Sequence, residues 1–177
     1  MGESNIVPEC YVDTKIAEIL GQAKNKYNHQ HGSGDVANKM LSSLKEKMAL
    51  GIIDEDANKG IKSKYFLEFD TIIQRENLIL KKHPTNSHYL ILICPEIEKW
   101  LLADAEKVGI NPTEIEYNLP YRLQKLIKIS KRKDIDKNEG FKNFIKALVR
   151  EKSPSITTLK TWIELFKTDQ LHSLSNK

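Results

Sequence analysis

The chain has 177 residues, of which 40% are hydrophobic and 29% charged, a balance typical of one globular domain or of one domain with an appendage. It contains two cysteines and no CxxC pair, which argues against a disulfide scaffold and against a zinc finger. The N-terminus has no signal-peptide pattern, and no apolar run approaches the ~20 residues that span a bilayer. We therefore expect a cytoplasmic protein that does not bind a membrane.

The net charge of +4 is unevenly distributed along the chain. Residues 111–177 contain 14 Lys and Arg against 8 Asp and Glu, a net charge of +6, whereas residues 1–110 carry a net charge of −2. A basic C-terminal part is compatible with a polyanionic partner such as nucleic acid. A solvated helical surface explains the same charges equally well.

The first part of the chain alternates between short apolar runs and amphipathic stretches. Residues 5–10 predict a strand, and a helix is predicted to follow it. A short polar strand is predicted over residues 27–31, where a surface position explains the two histidines better than a metal pair does. A second helix over residues 36–47 leads into the continuous apolar run 48–54, which is typical of a strand buried on both faces.

The pattern then changes from mixed elements to helices alone. A short helix is predicted around residues 66–73, an additional strand over 77–83 and a third buried strand over 88–94, after which Pro95 opens a helix that ends at Gly109. Four later stretches read as helical: 111–117, 121–130, 139–152 and 155–168.

This alternation predicts an α/β fold, with a mainly parallel sheet flanked by helices. We expect the α/β domain to occupy residues 1–110. Residues 111–177 are expected to form a basic helical extension that packs on it.

Acidic residues follow two of the predicted strands. Glu9 ends the first strand, Asp54 ends the apolar strand 48–54, and Asp56 lies two residues further on. Ligands of open parallel sheets bind at the carboxyl ends of strands, which lie about 4.8 Å apart, so these carboxylates can share one divalent ion. Carboxylate oxygens suit Mg²⁺ or Mn²⁺, and clustered like charges without a cation would raise pKa values and cost stability.

Two segments resemble the signatures of Toprim domains. "PECYVD" is similar to the first signature, in which a glutamate at a strand end precedes a small residue and an aspartate: here Glu9, Cys10 and Asp13. Toprim domains usually have glycine where this chain has Cys10. "GIIDEDANKG" resembles the second signature, with Asp54 and Asp56 in its Asp-x-Asp motif.

A third segment, "CPEIEKWLLAD", resembles a run found in small stand-alone Toprim-like proteins of bacteria and archaea. Many of those proteins belong to anti-phage systems or accompany a separate ATPase. The resemblance thus covers roughly residues 4–108, and it implies a role in phage defence and an ATPase partner.

The resemblance also implies metal-dependent phosphoryl transfer. Asp54 and Asp56 would hold Mg²⁺ or Mn²⁺, and Glu9 would bind a second ion or act as general base for an attacking water. The leading function is therefore Mg²⁺-dependent cleavage of phosphodiester bonds in DNA or RNA. The alternative is a catalytically silent module that binds a metal or nucleotide and acts with a partner ATPase, and nucleotidyl transfer is a third option.

Further residues are candidates for the same site. Asp13 belongs to the first signature. Glu96 or Glu98 matches the acidic position of the third segment, and Glu98 is favoured because it lies just before Trp100, although a first-turn acid that complements the helix dipole is the simpler account of Glu98. Lys59 and Lys62 would stabilise developing negative charge. The basic stretch that would contact a phosphate backbone consists of Lys131, Arg132 and Lys133.

Overall fold

The computed structural model describes residues 5–23, 27–55 and 63–176. These residues form an α/β fold in which helices cover both faces of one five-stranded sheet. The strands are β1 (Ile6–Pro8), β2 (Ala49–Asp54), β3 (Asp70–Arg75), β4 (Leu78–Lys82) and β5 (His88–Ile93). The α-helices are α1 (Tyr11–Leu20), α2 (Ser33–Leu41), α3 (Ile97–Lys107), α4 (Leu123–Ser130), α5 (Glu139–Arg150) and α6 (Pro154–Lys167). Short 3₁₀ helices span Lys64–Glu68, Lys133–Lys137 and Leu171–Asn176.

The sheet is mixed and mostly parallel, with the strand order β1-β2-β5-β4-β3. β2 pairs in parallel with β1 on one side and with β5 on the other. β4 runs antiparallel to both β5 and β3, so four of the five strands point the same way. The predicted α/β class with a mainly parallel sheet is therefore confirmed.

Side chains of the central strands alternate between two hydrophobic clusters, as the two-residue period of a strand requires. Leu50 and Ile52 of β2 pack beneath α1 and α3, whereas Ala49 and Ile53 pack on the opposite face. On that opposite face α2 lies close to the sheet, because a Cβ on Gly51 would stand 3.2 Å from a methyl carbon of Val36. Burial of both faces explains why β2 and β5 are continuous apolar runs.

The C-terminal helices extend the larger of the two clusters. α5 and α6 both contact α1, and α4 contacts α3. Phe144 of α5 and Trp162 of α6 belong to the same buried cluster as Ile16 of α1 and Trp100 of α3. Residues on both sides of position 110 thus share one core. No helix of the described chain combines the length and the apolar character that crossing a membrane requires.

A buried carboxylate fastens α6 to α3. Asp104 is fully buried and accepts hydrogen bonds from the backbone amides of Ser155 and Ile156, at 3.0 and 3.1 Å. The first amides of a helix have no partner within the helix, so Asp104 acts as the cap of α6 from another element. Lys107, one turn further along α3, lies 3.7 Å from the same carboxylate.

Five local predictions were wrong. The helix predicted over 36–47 is α2, which spans Ser33–Leu41 and ends six residues earlier than expected. Residues 27–31 are extended beside β1 but form no strand. The backbone amides of Asn28 and Gln30 donate hydrogen bonds to the carbonyls of Ile6 and Pro8. The helix predicted over 66–73 is a 3₁₀ turn followed by strand β3. The helix placed at 111–117 is a series of turns, in which Tyr117 is buried but Ile115 is 99% exposed. Finally, α3 begins two residues after Pro95.

Candidate active site

Three parallel strands end at the same edge of the sheet, and their carboxyl ends carry the acidic residues. Pro8 of β1 pairs with Ile52, and Asp54 of β2 pairs with Ile93 of β5. Glu9 continues this ladder by donating its amide to the carbonyl of Ile52 at 2.9 Å. The side chains that follow β1, β2 and β5 therefore meet at one edge, as the strand-end argument predicts.

Glu9 joins three elements through its carboxylate. Its Oε1 accepts a hydrogen bond of 3.0 Å from the amide of Ser33, the first residue of α2. Its Oε2 accepts one of 3.1 Å from the amide of Asp54, the last residue of β2. A negative charge at a helix N-terminus is favourable, so Glu9 both caps α2 and fixes its own orientation at the edge of the sheet.

Asp54 carries a carboxylate oxygen that is cut off from water. Its Oδ1 is buried and has no hydrogen-bond partner. The pKa of Asp54 is raised to about 10, mainly by burial and then by the charges of Asp13, Glu98 and Glu9, while the amide of Ile97 opposes the shift. In the absence of a cation, the Asp54 carboxyl is therefore neutral at pH 7.

Asp13 lies on the first turn of α1 and is only 1% exposed. Neither of its carboxyl oxygens makes a hydrogen bond of normal geometry. Burial is the main cause that raises the pKa of Asp13 to about 8; proximity to Cys10 opposes the shift, and the charges of Glu9 and Glu98 add to it. The charges of Glu9 and Glu98 thus raise the pKa of both aspartates, and the charge of Asp13 also raises that of Asp54.

Glu98 completes the group from the first turn of α3. It is buried, and its Oε1 accepts a hydrogen bond from the hydroxyl of Ser130 at the end of α4. Glu98 lies on the first turn of α3, as the helix-dipole account expects, and its carboxylate also lies close enough to Asp13 and Asp54 to raise their pKa values. Four carboxyl groups therefore converge, three at the ends of parallel strands or just beyond them and one on the first turn of α1.

A cavity of about 190 Å³ opens over these groups. It is lined by Glu9, Asp54 and Glu98 together with Lys131, the residue that follows α4. Lys131 thus brings a positive charge to an acidic cavity, and it does so from the C-terminal part of the chain.

Cys10, the residue that departs from the Toprim pattern, also lines this cavity. Burial raises the pKa of the Cys10 thiol well above its ordinary value, and the charge of Asp13 adds to the rise. Since the thiolate is the reactive form of cysteine, Cys10 does not supply a nucleophile at neutral pH.

The other two basic residues predicted to contact nucleic acid, Arg132 and Lys133, are not among the residues that line the acidic cavity. Arg132 forms a two-pronged ion pair with Asp134, with nitrogen–oxygen distances of 2.9 and 2.8 Å. Lys133 lines a neighbouring cavity beside α1. Of the basic stretch, Lys131 is the residue that reaches the acidic cavity.

A second cavity, of about 300 Å³, adjoins Glu9 on its other side. Tyr11, His29 and His31 line it with aromatic rings, and Lys131 lines it as well. These aromatic residues were missed as site residues by sequence reasoning. Their position along the chain could have identified them. Residues 27–31 come after α1 and run parallel to β1, so they end at the same edge of the sheet as Glu9.

Three of the predicted residues, Asp56, Lys59 and Lys62, lie outside the described part of the chain. Within residues 5–23, 27–55 and 63–176, no three His, Cys, Asp or Glu side chains stand in positions that could hold a metal ion. The donor set nevertheless fits a hard divalent cation, because it consists of carboxylate oxygens and includes the buried, unpartnered Oδ1 of Asp54.

Comparison with known proteins adds no family: no family model, no curated protein and no solved structure matches this chain.

Proposed function

We propose that this protein is a Toprim-like, Mg²⁺-dependent nuclease that cleaves phosphodiester bonds of nucleic acid in the cytoplasm. The observation that carries the proposal is the convergence of four carboxyl groups, two of which, Asp13 and Asp54, have strongly raised pKa values. Clustered buried acids destabilise the folded protein, and a divalent cation bound among them would offset this loss of stability. Such a cluster is therefore expected where a protein binds a cation.

The residues that would hold Mg²⁺ or Mn²⁺ are Asp54 and Glu98, with Glu9 beside them. Asp56 would join them from outside the described residues. When bound, the cation would neutralise a non-bridging phosphate oxygen and stabilise the leaving alkoxide. The convergent acids and their oxygen-only donor set support this assignment.

The protein's own groups would perform three further tasks. Glu9, oriented by the amides of Ser33 and Asp54, would position a water for attack or accept its proton. Lys131 would bind the phosphate that enters the acidic cavity. Ser130 would keep the Glu98 carboxylate turned towards the cavity.

A cleavage assay tests the proposal. Single-stranded and duplex DNA and RNA, labelled at one end, are incubated with the protein and Mg²⁺ or Mn²⁺. We expect cleavage that stops with EDTA and falls at least a hundredfold in Asp54→Asn. The matched control is Asp70→Asn, which changes an exposed carboxylate at the start of β3. Absence of cleavage with every substrate and both ions, or equal activity of Asp54→Asn, would overturn the proposal.

One observation favours the alternative of a non-catalytic module. Both carboxylate oxygens of Glu9 accept backbone amides, so Glu9 has a structural task that requires no turnover. In this alternative the edge of the sheet binds a cation or nucleotide, and the protein acts with a partner ATPase. Metal-induced stabilisation without cleavage, together with a stable complex in pull-downs, would favour this alternative. A role in phage defence rests on the resemblance of residues 94–104 alone.

A further inference from the structure

The second cavity lies beside the proposed catalytic site and shares three residues with it, Glu9, Cys10 and Lys131. Glu9 and Lys131 line both cavities, which measure about 190 and 300 Å³. A ligand that fills the larger cavity therefore lies next to the carboxylates, and Lys131 stands at the junction. A volume near 300 Å³ is the lower limit of ordinary small-molecule sites, and it suits a ligand of the size of one nucleotide.

Three aromatic rings form one wall of this cavity. Tyr11 and His29 are stacked, with ring centroids 4.1 Å apart and an interplanar angle of 20°. His31 meets His29 edge to face, with centroids 4.8 Å apart, and is the exposed member of the group. Aromatic rings beside a positive charge are the usual means by which proteins bind unpaired bases of any sequence.

Hydrogen bonds hold the inner histidine in one orientation. The hydroxyl of Thr14 donates to the carbonyl of Cys10 at 2.7 Å, so it accepts at 3.1 Å from Nδ1–H of His29. Nε2 of His29 is buried and has no hydrogen-bond partner. Burial lowers the pKa of His29, and the neighbouring His31 lowers it further, so the ring is neutral at pH 7. The Tyr11–His29 pair is thus a rigid, uncharged support for His31.

We infer that the cavity between Glu9 and His31 binds an unpaired nucleotide of the nucleic-acid substrate, with its base against His31 and its phosphate at Lys131. This inference rests on the proposed function and narrows its substrate class to strands with unpaired bases. A strand bound in this way would pass from the aromatic wall to the carboxylates, so that the phosphate next to the bound base reaches the acidic cavity.

The test measures binding by the full chain in EDTA, where no cleavage occurs. Fluorescence anisotropy at 100 mM salt follows a labelled 12-nucleotide single strand, the corresponding duplex and a single strand with abasic sites. Stacking contributes about 1–3 kcal/mol per base, so His31→Ala should weaken single-strand binding at least fivefold. His31→Phe should restore binding, because it keeps an aromatic ring. His172→Ala, at another exposed histidine, is the control and should bind as the wild type does.

Three results would overturn the inference: equal affinity for single strand and duplex, no loss on removal of the bases, or unchanged binding by His31→Ala. AMP as competitor separates a strand site from a mononucleotide site, and we expect it to displace the strand only at concentrations far above the Kd of the strand. The outcome is separable from that of the proposed function. Single-strand binding that depends on His31 but leads to no cleavage with Mg²⁺ would sustain the inference and refute the nuclease. Cleavage that His31→Ala leaves unchanged would sustain the nuclease and refute the inference.

Discussion

The buried carboxyl of Asp13 should make the protein without metal less stable as the pH rises. In the unfolded chain the pKa of this group is near 3.8, whereas in the folded protein burial raises it to about 8. An acid with a raised pKa in the folded state binds a proton that the unfolded state has already lost. Its contribution to stability is therefore greatest below pH 4, declines between pH 4 and pH 8, and then stays constant.

The size of the effect follows from the linkage of protonation to folding. Each pH unit within this interval changes the free energy of unfolding by roughly 1.4 kcal/mol for one such group. Between pH 4 and pH 7 Asp13 ionises in the unfolded chain but stays protonated in the folded protein, so the free energy of unfolding falls by about 4 kcal/mol, a large part of the stability of an ordinary domain. Asp13→Asn keeps the shape of the side chain and removes the titration, so it should stabilise the protein at pH 7 and above.

Guanidinium unfolding in EDTA at pH 5, 6, 7 and 8 measures this directly. The wild type should lose stability with rising pH more steeply than Asp13→Asn, by roughly 1.4 kcal/mol per pH unit. Asp70→Asn, at an exposed carboxylate, should keep the wild-type slope. Parallel curves for the wild type and Asp13→Asn would refute the reasoning, because they would mean that the folded protein holds no additional proton at this position.

The remaining predictions concern the metal and the packing. Mg²⁺ at a hundredfold excess over its Kd should stabilise the wild type by about 2.7 kcal/mol in thermal unfolding, and Asp54→Asn should abolish this shift; a shift retained by the variant would place the metal elsewhere. Gly140→Ala should destabilise by about 2–3 kcal/mol in guanidinium unfolding, because its Cβ would stand 2.0 Å from the carbonyl oxygen of Tyr117. Gly34 lies in α2, and a Cβ added there would have no atom within 4 Å, so Gly34→Ala should be neutral or stabilising by about 0.5 kcal/mol. Equal effects of the two alanine substitutions would contradict the packing argument. Asp104→Asn should cost about 2 kcal/mol by the same measurement, since one amide of α6 loses its acceptor, and an unchanged midpoint would show that the cap is dispensable.

The sheet and the acidic edge were predictable because each depends on a short local pattern. The runs 48–54 and 88–94 are apolar throughout, which requires burial on both faces, and the structure places β2 and β5 side by side at the centre. Once parallel pairing is inferred, the positions of Glu9 and Asp54 at one edge follow from geometry alone. Their convergence needed no knowledge of side-chain conformations.

The contribution of the C-terminal part to the site was not predictable from any local pattern. Ser130 reads as an ordinary polar residue near the end of a helix, and its contact with Glu98 joins residues 32 positions apart. Lys131 was predicted as one of three equivalent basic residues. Tertiary packing separates them: α4 places Lys131 at the acidic cavity, whereas Asp134 binds Arg132 in the adjacent turn.

The contact between Ser130 and Glu98 also limits how the connection between α3 and α4 can vary. Surface connections in most proteins tolerate insertions and deletions. Here residues 108–122 set where α4 begins, and a change in their number would move Ser130 and Lys131 away from the carboxylates even though the sheet itself stayed intact. Residues 108–122 contain no helix or strand and do not line the cavity, yet they act as a spacer of fixed length. A different length of this segment in a related chain would indicate that Ser130 and Lys131 no longer reach the carboxylates there.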